Sequence, residues 1–358
     1  MSTADSPLDV EDLRDRVSLA LTDFLTRQRP KLCEISEEVG VLDAALVDLL
    51  REGKRLRPAF CWWGWRAAGG DSQSSGALIA SASLELLQAS ALVHDDVMDD
   101  SDTRRGMPAA HKRFSAIHVA NDWSGDADRF GDAAAILIGD LCLSWTDDLF
   151  FNCGLPAEAL LRAKPVLDIM RTELLGGQYL DLLEQAKGSA TPERALTVAR
   201  FKSAKYTIER PLQLGATLAG GSPELLGALS GYGLPIGEAF QIRDDVLGVF
   251  GDPEVTGKPA GDDLREGKRT YLVAVALQLS DNAQRRTLND GLGDPELSQT
   301  SISTMREIIV STGALAQTED LIARRTEQAL RALDTVKLDP TVRDVLSDLA
   351  FIATSRSH

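Results

Sequence analysis

An all-α fold is predicted by three properties of this 358-residue chain. Apolar side chains recur at helical spacing near both ends, as in the segments that begin at Val10 and that end at Leu333. No stretch alternates apolar and polar residues over the length of a strand, and β-branched residues form only short clusters. The breaks between the apolar segments are rich in the turn-forming residues glycine, serine, asparagine and aspartate. Together these properties predict one domain made of helices.

The predicted helices follow one another along the chain and are separated by six loops. Apolar residues recur at helical spacing over positions 10–25 and 39–50 near the N-terminus, and C-terminal helices are expected at about 301–353. The loops are predicted at 69–76, 121–131, 187–192, 220–223, 251–263 and 280–300. None of them is long or biased enough to be a linker between domains, and no fixed-period repeat is present. We therefore expect a single domain over residues 1–358.

Charge and composition exclude several classes of protein. Lys and Arg number 38 while Asp and Glu number 54, which gives a formal net charge of −16. Nucleic acid is not expected as the main partner, because a phosphate backbone requires a basic face. The longest uninterrupted apolar run, 271–277, is far shorter than the ~20 residues of a membrane-spanning helix, and the acidic N-terminus is unlike a secretory signal. Four cysteines without C-x-x-C spacing are typical of free thiols in a reducing cytoplasm.

The first acidic cluster follows an apolar segment, residues 84–92, that is predicted to be helical. Asp95 and Asp99 are four residues apart and therefore lie on one helix face, with Asp96 offset by one position. Carboxylates at this spacing repel each other, at a cost of roughly a few tenths of a kcal/mol in an isolated helix. A hard divalent cation with oxygen ligands is expected to compensate them. The alternative interpretation is a solvated acidic helix end.

A second acidic cluster, Asp244 and Asp245, follows another apolar segment about 150 residues later. Two such clusters suit a site that binds a diphosphate through several metal ions, because Mg²⁺ is usually held by one or two carboxylates together with phosphate and water. Basic residues, the usual phosphate ligands, accompany both clusters. They stand at Lys54, Arg57, Arg104, Arg105, Lys202, Lys258 and Lys268. Lys54 and Arg57 share one helical face if their segment is helical.

Six short motifs occur in a fixed order along the chain. Residues 95–99 read D-D-x-x-D and are followed by T-R-R-G at 103–106. The others are G-K-R-x-R-P at 53–58, G-Q-x-x-D at 177–181, Lys-Ser at 202–203, and Q-x-x-D-D at 241–245 with G-K pairs at 257–258 and 267–268. Over about residues 49–277 the chain thus resembles the trans-isoprenyl diphosphate synthases of the polyprenyl synthetase family. One departure is Gly248, which stands where the second aspartate motif usually has its third aspartate.

The resemblance implies an antiparallel helical bundle of the isoprenoid synthase type around a deep central cavity. It implies a cytoplasmic, homodimeric prenyltransferase that condenses isopentenyl diphosphate with an allylic diphosphate and uses three Mg²⁺ ions per active site, with Mn²⁺ as a substitute. Asp95, Asp99 and Asp244 would bind metal, with Asp96 and Asp245 as further ligands or as partners of ligands. Neutralising the departing diphosphate lets the allylic C–O bond ionise. The isopentenyl double bond then attacks the cation, and a proton is lost to the diphosphate.

The resemblance also divides the polar residues between the two substrates. Those assigned to the allylic diphosphate are Arg104, Lys202, Gln241, Lys258 and Lys268, of which Lys202 and Lys258 are also assigned to catalysis. Ser203 is assigned to substrate binding. Those assigned to isopentenyl diphosphate are Lys54, Arg57, Gln88 and Arg105. No side-chain nucleophile is needed, and the chain accordingly has no G-x-S-x-G sequence and no catalytic arrangement of His and Cys.

Product length is predicted from the side chains one helical turn before Asp95. Ser90 and Ala91 are both small, where an aromatic residue would form a floor under the growing chain, and Leu87 lies further back. Geranylgeranyl diphosphate is therefore the expected product, with farnesyl diphosphate or a longer polyprenyl diphosphate as alternatives. A class I terpene cyclase would lack the isopentenyl-binding cations. A non-catalytic subunit of a heteromeric synthase would typically lack aspartates of the first motif.

Overall fold

The computed structural model of this chain describes residues 10–188, 191–251 and 261–354. Helices make up most of these residues, and the strands among them are the two-residue segments Thr103–Arg104 and Met107–Pro108. The all-α prediction is therefore confirmed.

The chain divides into two compact units. The first comprises Met1–Trp62 and Gly70–Leu160, and the second comprises Trp63–Gly69 and Leu161–His358. Each unit has its own long helix against which several of its other helices pack. The expectation of a single domain stays a prediction.

The first unit contains the helix that carries the first acidic cluster. The helices of this unit are α1 (Leu13–Ile35), α2 (Gly40–Arg51), α3 (Leu56–Ala67, whose last residues belong to the second unit), α4 (Ser75–Met98), α5 (Ala110–Ala120) and α6 (Ala127–Phe151). Short 3₁₀ turns, Val10–Asp12 and Glu37–Val39, precede α1 and α2. The central helix is α4, which packs against α6, α1, α2 and α5.

Helix α4 is apolar because it is a core helix. It begins after Ser74, whose Oγ accepts a hydrogen bond from the Ala77 amide at 3.2 Å and so caps the helix. By length and composition Ser75–Met98 could cross a membrane, but 78% of its most apolar 18-residue window is buried inside the protein. Its apolar surface is thus explained by packing against the neighbouring helices.

The second unit is built around α10 (Pro223–Phe250), which carries the second acidic cluster. Its other elements are α7 (Ala157–Lys187), α8 (Pro192–Val198), the π-helical segment Ala199–Glu209, α9 (Arg210–Leu218), α11 (Asp262–Arg265), α12 (Tyr271–Leu279), α13 (Asn282–Gly291), α14 (Gln299–Ser311), α15 (Ala314–Leu333) and α16 (Pro340–Thr354). Helix α10 packs against the π-helical segment, α9, α15 and α16. Apolar side chains from α10, α12, α14 and α15 form the hydrophobic core of this second unit.

The loop predicted at 121–131 is shorter than expected. Helix α6 already begins at Ala127, because Asp126 caps its first turn. The Asp126 Oδ1 atom accepts hydrogen bonds from the amides of Asp128 at 3.0 Å and Arg129 at 3.1 Å.

The loop prediction at 280–300 is wrong over the ten residues of α13. This helix is mostly polar, and Leu288 is its one buried residue, so apolar spacing could not reveal it. The signal that could have revealed it is a capping box, in which Asp281 and Gln284 each bond to the backbone amide of the other. Parts of the loops predicted at 187–192 and 251–263 lie outside the described residues.

Candidate active site

The first acidic cluster lies at the C-terminal end of α4. Asp95 is in the last turn, and Asp99 is the C-cap residue, whose amide donates to the Asp95 carbonyl at 2.9 Å. Both residues are partly exposed, whereas Asp96 between them is buried. The backbone is helical from Asp95 to the C-cap, and helical spacing therefore predicts that Asp95 and Asp99 lie on one side of the helix end.

Asp96 is bound by Arg104. Its Oδ1 atom accepts a hydrogen bond from Arg104 Nε at 2.9 Å and a second one from Arg104 Nη2. Burial raises the pKa of Asp96, and the hydrogen bonds and charge of Arg104 oppose that shift. Asp96 thus orients Arg104, and the more accessible carboxylates of this cluster are those of Asp95 and Asp99.

Arg104 reaches Asp96 from a tight hairpin made by the T-R-R-G motif. Thr103–Arg104 pairs antiparallel with Met107–Pro108. The two residues between them, Arg105 and Gly106, have φ angles of 53° and 73°. Positive φ at both central positions is the requirement of a type I′ turn, which explains Gly106, whereas Arg105 adopts this conformation as a residue other than glycine. This hairpin is the one β-structure in the described residues, and apolar alternation could not predict strands of two residues.

Lys54 and Arg57 do not share a helical face. Residues 52–55 are not helical, whereas Arg57 lies in the first turn of α3. Arg55 between them has a φ angle of 54°, which separates the loop from the helix that follows. The condition for a shared helical face, a helix over both residues, is therefore not met, because α3 begins only at Leu56.

Two arginines bind the carbonyls at the C-terminal end of α2. The buried Arg55 donates from Nη2 to the Leu50 carbonyl at 2.5 Å. Arg105 donates from Nη1 to the Leu49 carbonyl at 2.8 Å and also to that of Glu52. Carbonyls at a helix C-terminus lack intrahelical partners, and cationic donors satisfy them well. The G-K-R-x-R-P loop and the T-R-R-G hairpin are thereby joined to the same helix end.

The remaining predicted residues of the first unit lie along α4. Gln88 is partly buried, and its Oε1 atom has no hydrogen-bond partner among the described residues. Ser90 and Leu87 are buried, whereas Ala91 is partly exposed. Ala91 is therefore the more accessible of the two small residues one turn before Asp95.

In the second unit, Lys202 is paired with an acidic residue that sequence reasoning did not assign to the site. Its Nζ lies 2.7 Å from Asp181 Oδ2. The close approach of the Lys202 backbone to α7 depends on Gly177, because a Cβ at position 177 would lie 2.3 Å from the Lys202 backbone nitrogen. Both Gly177 and Asp181 belong to the G-Q-x-x-D motif, which was the available signal. Lys202 and the partly buried Ser203 lie in the π-helical segment, a form that is frequent at functional sites.

The second acidic cluster repeats the arrangement of the first. Asp244 is exposed, and the next residue, Asp245, is buried. Asp245 Oδ1 accepts a hydrogen bond from Gln241 Nε2 at 2.8 Å. Burial raises the pKa of Asp245 well above its usual range, and the neighbouring charge of Asp263 adds to the shift. In both clusters the first aspartate is accessible and the second accepts a hydrogen bond from a polar side chain close by in the sequence, Arg104 or Gln241.

Lys268 lies close to this cluster and binds Asp263. The Nζ atom is 3.2 Å from Asp263 Oδ1 and also contacts Glu266. Burial alone would lower the pKa of Lys268, but the two carboxylates raise it instead, so the side chain is a cation. Lys258, the other lysine predicted here, lies outside the described residues.

The donor chemistry of both clusters fits Mg²⁺. Within the described part of the chain, no three His, Cys, Asp or Glu side chains are grouped so as to hold a metal ion by themselves. Mg²⁺ does not need such a cage, because it retains water and takes substrate phosphates as ligands beside one or two carboxylates. Asp95, Asp99 and Asp244 are accessible carboxylates of the kind that this coordination requires.

Comparison with known proteins identifies relatives over nearly the whole chain. Residues 39–309 match the polyprenyl synthetase family. One relative of known structure is a geranylgeranyl pyrophosphate synthase from Corynebacterium glutamicum, crystallised in complex with isoprenyl diphosphate and magnesium. Its sequence is 44% identical to this chain, and the two structures align with a TM-score of 0.93 over 98% of this chain and 100% of that one. A geranylfarnesyl diphosphate synthase from Aeropyrum pernix is 35% identical over 82% of this chain and 87% of its own. A (2E,6E)-farnesyl diphosphate synthase from Mycobacterium tuberculosis is 32% identical over 85% of this chain and 80% of its own length.

Proposed function

The chain belongs to the polyprenyl synthetase family and is a trans-prenyltransferase, and from this premise we propose that its product is geranylgeranyl diphosphate. The observation that carries the proposal is the pair of small residues, Ser90 and Ala91, one turn before Asp95 on α4. An aromatic side chain at either position would reduce the space for a growing prenyl chain. The similarity to the geranylgeranyl pyrophosphate synthase of C. glutamicum supports the same product.

We assign metal binding to Asp95, Asp99 and Asp244, the accessible carboxylates of the two clusters. Three Mg²⁺ ions per active site, replaceable by Mn²⁺, would neutralise the diphosphate as it leaves the allylic substrate. Asp96 and Asp245 act through their hydrogen bonds, since each orients a polar side chain that can bind a phosphate oxygen. Those side chains are Arg104 and Gln241.

Three basic residues of the first unit and one amide are assigned to isopentenyl diphosphate. Lys54, Arg57 and Arg105 supply positive charge and donors, and Gln88 supplies an amide. The loop at 52–55, which carries Lys54, and the hairpin at 103–108, which carries Arg105, are both bound to the end of α2, so these two residues are positioned before the substrate arrives.

A second group of polar residues is assigned to the allylic diphosphate, of which Lys202 and Lys258 also take part in catalysis. The group comprises Arg104, Lys202, Ser203, Gln241, Lys258 and Lys268. The ion pair with Asp181 fixes the position of the Lys202 ammonium group, which then meets the phosphate with little loss of side-chain entropy.

We further propose that the protein is a cytoplasmic homodimer with one polyprenyl synthetase domain. Exposed apolar side chains on α6 support a partner surface, namely Phe130, Ile136 and Leu137. Four free cysteines support a reducing compartment.

One assay tests the proposed product. Purified protein is incubated with isopentenyl diphosphate, Mg²⁺ and either dimethylallyl, geranyl or farnesyl diphosphate, and the dephosphorylated products are separated by chromatography. We expect geranylgeraniol as the main product. Farnesol or a longer alcohol would contradict the assigned chain length, and a cyclic hydrocarbon would indicate a terpene cyclase. Turnover only after addition of a second protein would indicate a non-catalytic subunit.

A further inference from the structure

The π-helical segment Ala199–Glu209 is eleven residues long, whereas π-helical structure mostly occurs as single turns within α-helices. Glycines bring its backbone close to two neighbouring helices. Gly177 of α7 does so at Lys202, as described above. On α10, a Cβ on Gly237 would lie 2.6 Å from Ala204 Cα. The segment therefore fits closely against α7 and α10, and its conformation depends on the contacts that it makes there.

Helix α7 presents two carboxylates to this segment. Glu173, Gly177 and Asp181 are four residues apart and therefore lie on one face of α7. The Glu173 Oε1 atom accepts hydrogen bonds from Lys205 Nζ at 2.7 Å and from Arg210 Nη2 at 2.7 Å. Its Oε2 atom accepts a third one from Arg210 Nε at 2.6 Å. One carboxylate thus binds the side chains of two residues that are five positions apart.

The spacing of these two cations matches a π-helix and not an α-helix. In an α-helix, residues five positions apart point about 140° away from each other, because each residue turns the helix by about 100°. A π-helix bonds residue i to residue i+5 and therefore places both on one side. Accordingly, the Arg210 amide donates to the Lys205 carbonyl. The ion pairs with Glu173 thus favour the π-helical form over an α-helix.

The three charged side chains are largely buried. Their exposed fractions are 11% for Glu173, 15% for Lys205 and 17% for Arg210. Burial alone would raise the pKa of Glu173, but the hydrogen bonds and charges of Arg210 and Lys205 lower it instead, so the side chain is a carboxylate. Salt screens buried charges much less than exposed ones. These ion pairs therefore stabilise the segment also at physiological ionic strength.

We propose that Glu173 is a positioning residue, which holds residues 199–209 in the π-helical form and thereby places Lys202 for the allylic diphosphate. The inference rests on the proposed function, in which Lys202 binds that substrate. Lys202 lies three residues before Lys205 in the same segment. A change to α-helical hydrogen bonding would alter the direction of the Lys202 side chain. Isopentenyl diphosphate is assigned to residues of the first unit and does not depend on this segment.

The test measures the KM of each substrate in turn by steady-state kinetics. Glu173→Gln keeps the shape of the side chain and removes its charge. We expect it to raise the KM for the allylic primer by about tenfold or more, because small displacements of a positioning group have large effects on turnover and binding. The KM for isopentenyl diphosphate should stay within about twofold of the wild-type value. Lys205→Met, which removes one of the two cations, should change the two constants in the same direction.

The matched control is Glu184→Gln, which removes another buried carboxylate of α7. Glu184 pairs with Arg194 of α8 at 2.7 Å, outside the π-helical segment. This variant should leave both KM values within about twofold of wild type. Circular dichroism and thermal unfolding verify that each variant is folded. If Glu173→Gln does not fold, Lys205→Met carries the same comparison.

A double-mutant cycle makes the test specific for Lys202. If Glu173 acts through Lys202, adding Glu173→Gln to Lys202→Ala should raise the KM for the allylic primer by less than about twofold beyond Lys202→Ala alone. A residue that only stabilises the fold would not show this dependence, because its effect would multiply with that of Lys202→Ala.

Three results would overturn the inference. In the first, Glu173→Gln raises both KM values by the same factor. In the second, the effects of Glu173→Gln and Lys202→Ala on the KM for the primer multiply. In the third, Lys202→Ala raises that KM while Glu173→Gln leaves it at the wild-type value. An unchanged KM for the primer in Lys202→Ala itself would instead contradict the role that the proposed function gives to Lys202.

Discussion

Arg55 and Glu85 form an ion pair in which both side chains are almost completely buried, at 3% and 4% exposure, and Arg55 Nη1 lies 2.7 Å from Glu85 Oε2. Glu85 belongs to α4, whereas Arg55 stands in the loop that carries Lys54. The pair therefore joins the loop at residues 52–55 to the helix that ends in the first acidic cluster. It also stabilises Arg55 at a φ angle of 54°, which residues other than glycine adopt at a cost.

The first prediction concerns this pair. Glu85→Ala should lower the free energy of unfolding by about 3–5 kcal/mol, because it leaves a buried guanidinium without its counter-charge. Urea denaturation followed by circular dichroism measures the effect. As control, Glu327→Ala removes an i,i+4 pair with Arg331 whose side chains are about two-thirds exposed, and it should cost less than about 1 kcal/mol. Equal losses in the two variants would contradict the assignment.

The second prediction concerns metal dependence. Asp95→Ala and Asp244→Ala should each lower turnover by several orders of magnitude without loss of helix content, because each removes a proposed ligand for the ion that neutralises the leaving diphosphate. Chelation by EDTA should abolish turnover, and added Mg²⁺ should restore it. Asp23→Ala, an exposed aspartate on α1, is the control and should have wild-type activity. Near-normal turnover in EDTA or in either variant would refute the two-cluster assignment.

The third prediction separates the two substrates. Arg57→Ala should raise mainly the KM for isopentenyl diphosphate, and Lys202→Ala should raise mainly the KM for the allylic primer. The reason is that each change removes a charge from only one of the two proposed phosphate sites. Steady-state kinetics with each substrate varied in turn measures both constants. If the two variants changed both KM values by the same factor, the division of the basic residues would be wrong.

The fourth prediction concerns product length. Ala91→Phe should shorten the product by about one isoprene unit, because the ring fills the space that this unit would occupy. Ser90→Phe should have the same effect on length. Because Ser90 is buried, Ser90→Phe should also lower the free energy of unfolding, by about 1–3 kcal/mol more than Ala91→Phe does. Chromatography of the dephosphorylated products and urea denaturation measure the two quantities. An unchanged product in both variants would place the floor of the site elsewhere.

The fifth prediction concerns cysteine reactivity. Burial raises the pKa of the Cys61 and Cys142 thiols to about 12, and the reactive thiolate is correspondingly scarce near neutral pH. Cys33 is partly exposed and should react first with iodoacetamide at pH 8. Mass spectrometry of the native protein measures the order, and unfolding in guanidinium should make all four cysteines react. Labelling of Cys61 or Cys142 at the rate of Cys33 would contradict this interpretation.

Regular periodicity explains which parts of the fold could be predicted from the sequence. Apolar spacing identified the helices that bury one face, such as those around Leu21 and Leu321. It failed for α13, because a helix with one buried residue has no apolar stripe. It also failed for the hairpin at 103–108, which depends on the backbone conformation of Arg105 and Gly106 and not on burial.

The sequence by itself determined the helical class, the family, and the two aspartate clusters on their helices, because residue type and spacing along one helix are local properties. Only the tertiary structure decided which aspartate of each pair is accessible. Asp95 and Asp96 differ by about 100° around the helix, but packing against other elements selects Asp96 for burial and for Arg104. Tertiary structure also decided the close contact of Asp263 with Gly248, which are 15 positions apart in the sequence: a Cβ on Gly248 would lie 1.8 Å from Asp263 Oδ2. Contacts between separate elements arise from how helices pack, and no spacing within one helix specifies them.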